Sequence, residues 1–74
     1  MQITALDREG IVNDVLNTAY NMRLAVHAVS ARQMKDGNCV TLLTISTESV
    51  EHLRSIISRM EKISGVFSVE RVGQ

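Results

Sequence analysis

Between two strand-like stretches, Lys35-Asp36-Gly37-Asn38 marks a tight reversal that constrains the fold more than any other feature of the chain. Asp-Gly suits short turns that need positive φ, so the flanking segments should pair as an antiparallel hairpin. Upstream, Leu24–Gln33 reads as a strand with Leu24, Val26, Ala28 and Ser30 on one side. Downstream, Cys39–Thr47 is rich in Thr, Val, Leu and Ile and reads as the returning strand. Each arm is flanked by a segment of helical period. Ile11, Val12, Val15, Leu16, Ala19 and Tyr20 recur on one face of the first, with Asn13, Asp14 and Asn17 opposite. Val50, Leu53, Ile56, Ile57, Met60 and Ile63 form the stripe of the second. Met1–Leu6 and Val66–Val72 complete the pattern as outer strands.

The order strand, helix, strand, strand, helix, strand divides into two halves, each needing a right-handed crossover. Joined by the hairpin, they predict an α+β, ferredoxin-like βαββαβ sandwich: a four-stranded antiparallel sheet with both helices on one face. The 74 residues suffice for one domain, 1–74, with a small core that partner surface would help. The second and fourth strands fall at the sheet edges. The 21–33 segment is long and carries few charges, which predicts side-by-side pairing with a second copy there. The plainer alternative is an edge protected by Arg23 and Arg32. Asp7 is the expected cap of the first helix and Asn21 its stop. Thr47 or Ser49 caps the second helix, and Gly65 fits the position just past its end. Both termini are flush with structure, which reads as a module from a longer protein.

The segment Leu6-Asp7-Arg8-Glu9-Gly10-Ile11-Val12 carries the chemistry that the sequence offers. A strand ends there in a polar turn whose glycine opens a helix. Free backbone N–H groups at a helix N-terminus can hold a carboxylate or phosphate, with Asp7 or Glu9 near an ammonium. On local sequence the structural reading is simpler: Asp7 caps, Gly10 is steric, and Arg8 and Glu9 are solvated. Asn21 either completes such a site across a dimer or merely ends the helix.

Other chemistries have little support. Eight basic and eight acidic residues give zero formal charge, unlike a free-standing nucleic-acid binder. Tyr20 and Phe67 are too few for base stacking. Arg54, Arg59 and Lys62 are interleaved with Glu51 and Glu61, the pattern of a solvated face. His27 and His52 lack a third ligand at matching spacing, so no metal and no cofactor is expected; His52 should face solvent and His27 an interface. Cys39 is the single cysteine, which excludes an intrachain disulfide and fits a reducing, cytoplasmic setting. No apolar run approaches a membrane span. No nucleophile elbow, phosphate loop or acid–base pair assembles, so this chain is not expected to be an enzyme by itself.

Over essentially its whole length the chain resembles the ACT domain, a small regulatory module that commonly binds amino acids. The likeness rests on Leu6–Val12 and the helix after it, the Asp36-Gly37 hairpin, Val40–Ile45, His52-Leu53, and the tail Ile63–Val72. Gly65-Val66-Phe67-Ser68-Val69-Glu70-Arg71 is narrower and is similar to the C-terminal end of long Rel/Spo-type GTP pyrophosphokinases, bacterial enzymes that make and often hydrolyse (p)ppGpp in the stringent response. The resemblance implies a homodimer paired through its sheets, with a ligand between subunits. Its lining residues would be Asp7, Arg8, Glu9, Gly10, Ile11 and Val12, facing Asn21, Met22, Arg23 and Leu24. It also implies two competing roles for this family, sensing an amino acid or docking to the ribosome and its RNA. A third reading is an ACT domain of another amino-acid-regulated enzyme. Where many ACT domains carry Asp-Arg-Pro-Gly, Glu9 replaces the proline and adds a charge that opposes a carboxylate.

Overall fold

The computed structural model describes residues 1–72. Six elements follow one another: β1 (Gln2–Leu6), α1 (Ile11–Asn21), β2 (Val26–Gln33), β3 (Asn38–Ile45), α2 (Val50–Glu61) and β4 (Val66–Glu70). The strands form one antiparallel sheet in the order β2-β3-β1-β4. This is the ferredoxin-like arrangement expected, with β2 and β4 at the edges.

The core lies between the sheet and the helices. Ile3 and Leu43 from the sheet meet Val15 and Ala19 of α1 and Ile56 and Met60 of α2. Alternation in β1 and β3 produces this: Ile3, Ala5, Cys39, Thr41 and Leu43 point inward and are buried. Every second residue faces the opposite, uncovered side of the sheet. The edge strand β2 differs, because beyond half-buried Val26 all of its residues are exposed. Among the described strands it pairs with β3 alone.

Several local expectations need correction. Tyr20 and Val50 are 63% and 60% exposed, so each helical stripe is narrower than its periodicity suggests. The second strand starts at Val26 rather than Leu24, the third spans Asn38–Ile45, and the last ends at Glu70. Register shifts between Val26 and Ala28, placing a bulge at His27. The extra residue breaks alternation there: Val26 pairs with inward-facing Ile45, whereas Ala28 pairs with outward-facing Thr44. Leu24, Val26, Ala28 and Ser30 therefore do not share one side. His27 is exposed, its Nε2 2.6 Å from Ser46 Oγ.

The helix ends also differ. Gly10, at φ 84°, occupies the N-cap position of α1, and no side chain caps it. Asp7 lies three residues upstream of the cap position, and its carboxylate accepts from the Gln33 side-chain amide instead. At the other end Asn21 remains helical, and Arg23 adopts the left-handed conformation, φ 60°. Leu24 N–H bonds Ala19 O at 3.1 Å and Arg23 N–H bonds Tyr20 O at 2.9 Å. These are the paired bonds of a Schellman ending, and core residues Ala19 and Leu24 supply its apolar contact. Burial of Leu24 selects this path despite the left-handed cost at Arg23, about 1 kcal/mol for a non-glycine.

Ser49 caps α2, its Oγ accepting from His52 N–H at 3.0 Å. His52 is half-buried rather than freely solvent-facing, and its Nδ1 accepts from Glu48 N–H at 3.1 Å. The two bonds resemble a capping box, except that the histidine ring accepts from the N–H one residue before the cap rather than from that of Ser49. Gly65 is not the residue just past the helix, because α2 closes at Lys62. It sits in the following turn at φ 92°, where an added Cβ would lie 3.4 Å from Arg8 Nε and 3.6 Å from Leu6 Cβ.

Candidate functional site

The loop from Asp7 to Gly10 leaves β1 at the end of the sheet where the β2–β3 hairpin turns. Asp7 N–H donates to Gly37 O at 3.1 Å, and the Gln33 side-chain amide donates to the Asp7 carboxylate. On its other flank the loop meets the turn between α2 and β4. Leu6 N–H donates to Gly65 O at 2.8 Å. Arg8 reaches the same turn, giving Nε and Nη2 to Ser64 O at 3.1 and 2.9 Å. Its Nη2 also lies 2.6 Å from Asp14 Oδ2, and Nη1 donates to Glu9 O at 3.2 Å. Arg8 is therefore not a solvated charge. It ties the loop to α1 and to the α2–β4 turn.

Gly10 makes this route possible. Its positive φ reverses the chain so that α1 starts directly after the loop, and Asp14 N–H closes onto Gly10 O at 2.9 Å. Ile11 N–H bonds back to Arg8 O at 3.2 Å. Among the described residues the N–H groups of Val12 and Asn13 have no partner within the chain. They give this helix terminus a partly positive, donor-rich surface. The side chains around it have the opposite sign: Asp7, Glu9 and Asp14 set against one guanidinium that is already engaged. The N–H groups suit an anionic group, whereas the carboxylates suit a cationic one. A zwitterion has both.

The ten residues singled out from sequence fall into two groups. Asp7 to Val12 are contiguous in the loop and first turn, with Asp7, Glu9 and Gly10 exposed and Ile11 buried. Asn21 to Leu24 lie at the far end of α1, with Asn21 and Arg23 exposed and Leu24 in the core. Eight helical residues, Asn13 to Tyr20, separate the groups, and Val12 to Asn21 is about 14 Å along the axis, so one protomer does not bring them together. Sequence reasoning missed Asp14, Gln33, Gly37 and Ser64. Their contacts with the loop span up to 56 positions, and no periodicity signals them.

No group of three or more His, Cys, Asp or Glu among the described residues is placed to hold a metal ion. No described helix is long and apolar enough to cross a membrane. Cys39 is buried against Ala5 and Ile11.

Comparison with known proteins places this geometry. A family model for the ACT domain matches residues 1–71. A GTP pyrophosphokinase from Myxococcus xanthus is 24% identical over 72 residues, which are 97% of this chain and 10% of that protein. The chain thus spans about a tenth of the length of this relative. Among solved structures, the ACT domain from GTP pyrophosphokinase of Chlorobium tepidum has the same fold. Its TM-score is 0.82 at 24% identity, covering 96% of this chain and 91% of that one.

Proposed function

The chain belongs to the ACT domain family, and from that premise we propose that it is the regulatory domain of a GTP pyrophosphokinase. In this reading the domain has no catalytic activity of its own. It biases (p)ppGpp synthesis against hydrolysis in a longer cytoplasmic enzyme by binding an amino acid at an interface between two copies. The relationship to the Myxococcus xanthus enzyme supports the choice of parent.

The observation that carries the ligand site is the start of α1. The N–H groups of Val12 and Asn13, unpartnered within the chain, directly follow a loop whose carboxylates Asp7 and Glu9 are exposed. That combination matches the two ends of an amino acid, carboxylate and ammonium. Topology supports a shared site. Gln33, at one end of β2, touches Asp7, while Val26, at the other end, follows Asn21–Leu24. Two β2 edges paired antiparallel about a two-fold axis would set the Gln33 end of one copy beside the Val26 end of the other. Each loop would then face the partner's α1 terminus. Glu9 opposes the ligand carboxylate if it turns inward, so the proposed ligand sits with its ammonium toward Glu9.

The mechanism is linkage. A ligand favouring one arrangement of two domains shifts the parent enzyme by no more than its differential affinity for the two. The test is to measure synthesis and hydrolysis rates of the longer enzyme with and without saturating branched-chain amino acid. A change in the ratio of the two rates supports the reading. Unchanged rates with ligand bound refute it.

A further inference from the structure

The open face of the sheet, opposite the helices, has an unusual charge layout. Pairing registers align its side chains in rows across the four strands. One row is Ser30, Leu42, Gln2, Glu70, and the next is Arg32, Val40, Thr4, Ser68. Such a face is normally solvated and polar. Here its centre is uncharged, with Leu42 44% exposed beside a groove of about 290 Å³ that Met34 and Val40 also line. The two charges stand at opposite edges, Arg32 on β2 and Glu70 on β4. Neither is in an ion pair among the described residues.

We propose that this face packs against the same face of a second copy. The face is complementary to itself about a two-fold axis that runs parallel to the strands between β3 and β1. That operation lays β2 of one copy over β4 of the other. Each Arg32 then stands above the strand carrying the partner's Glu70, one row away, about 7 Å along the strand and about 10 Å across the gap between sheets. Two long side chains span that separation, and the pair occurs twice. The axis perpendicular to the strands stacks β2 on β2 and gains neither pair, so charge selects the arrangement. The uncharged centre, Leu42 and Val40 over the partner's β1 and β3, fills the middle. This contact is distinct from edge pairing through β2 and does not depend on any ligand.

The strand spacings give a covered area of about 400 Å² on each copy, the size of a weak, transient interface. Association is therefore expected near 100 μM rather than nanomolar. The test is sedimentation equilibrium of the 74-residue chain across that range, with circular dichroism to establish folding. Leu42→Glu, at an exposed position, should weaken dimerisation at least tenfold. Arg32→Glu and Glu70→Arg should each weaken it about tenfold, since each opposes like charges twice. Combining both reversals should restore it. Edge pairing alone would be insensitive to Leu42→Glu, and β4 would not rescue a change in β2. A folded chain that shows no association beyond edge pairing, or whose further association is indifferent to Leu42→Glu and to the charge swap, overturns the proposal.

Discussion

Replacing Arg8 by alanine removes the side chain that joins the loop to two other elements, and the structure sets the expected cost. Two bonds go to the Ser64 carbonyl, one to Glu9 O, and a short contact pairs Arg8 with Asp14. The ion pair has side-chain exposures of 28% and 48%, so solvent screens it to about 0.5 kcal/mol. The Ser64 bonds are charge-assisted, but the freed carbonyl can be rehydrated, which leaves about 1 kcal/mol net. Arg8→Ala should therefore cost about 1.5 kcal/mol, and Asp14→Ala about 0.5 kcal/mol, with the double variant close to Arg8→Ala alone. In a chain of this length the Arg8→Ala cost lowers Tm by roughly 6–12 °C. Arg8→Lys keeps the charge yet loses the two-pronged hold on Ser64, so most of the loss persists. Urea unfolding followed by circular dichroism measures each value. Amide exchange should accelerate locally at Leu6, whose N–H is held by Gly65 O. Arg8→Ala within 0.3 kcal/mol of the parent chain, a threshold near the error of additivity, would refute the assignment of Arg8 as a tie between elements.

Gly10→Ala should cost about 1–2 kcal/mol from backbone strain alone, since the nearest atom to the new Cβ is Arg8 Nη1 at 3.9 Å, an ordinary contact; thermal unfolding with retained far-UV spectrum checks it. Ile56→Ala opens a hole at a fully buried core position and should cost about 2–4 kcal/mol, measured by urea titration. Ser49→Ala removes the α2 cap and should cost about 1 kcal/mol, whereas Thr47→Ala should leave stability nearly unchanged because Thr47 plays no part in that cap.

The two periodicities and the Asp36-Gly37 turn were enough to specify element order, strand order and both edges. Those features are written in local runs of residues, and handedness rules fix the rest. What stayed hidden depends on contacts distant in the chain. Arg23, rather than Asn21, takes the left-handed position because Leu24 must reach the core beside Ala19. The bulge at His27 inverts the facing of β2 after Val26, and an alternating pattern offers no sign of one inserted residue. The loop residues Asp7–Val12 were legible as a candidate site from a glycine between a strand and a helix. The engagement of Arg8 was not legible, since its partner Ser64 arrives only when α2 has packed on the sheet. Tyr20 continued the helical stripe by spacing but is exposed, while its neighbour Ala19 is the residue that enters the core.

The amino acid proposed as ligand binds where the loop meets α1. Titrating the isotope-labelled chain with valine, isoleucine and leucine, while following every backbone amide by NMR, tests it most directly. Binding there produces saturable shifts centred on Asp7–Val12 and Asn13, with matching shifts at Asn21–Leu24 when two copies are paired. A folded, dimeric chain whose amides do not move with any amino acid would contradict it, and would favour a docking role without a small ligand.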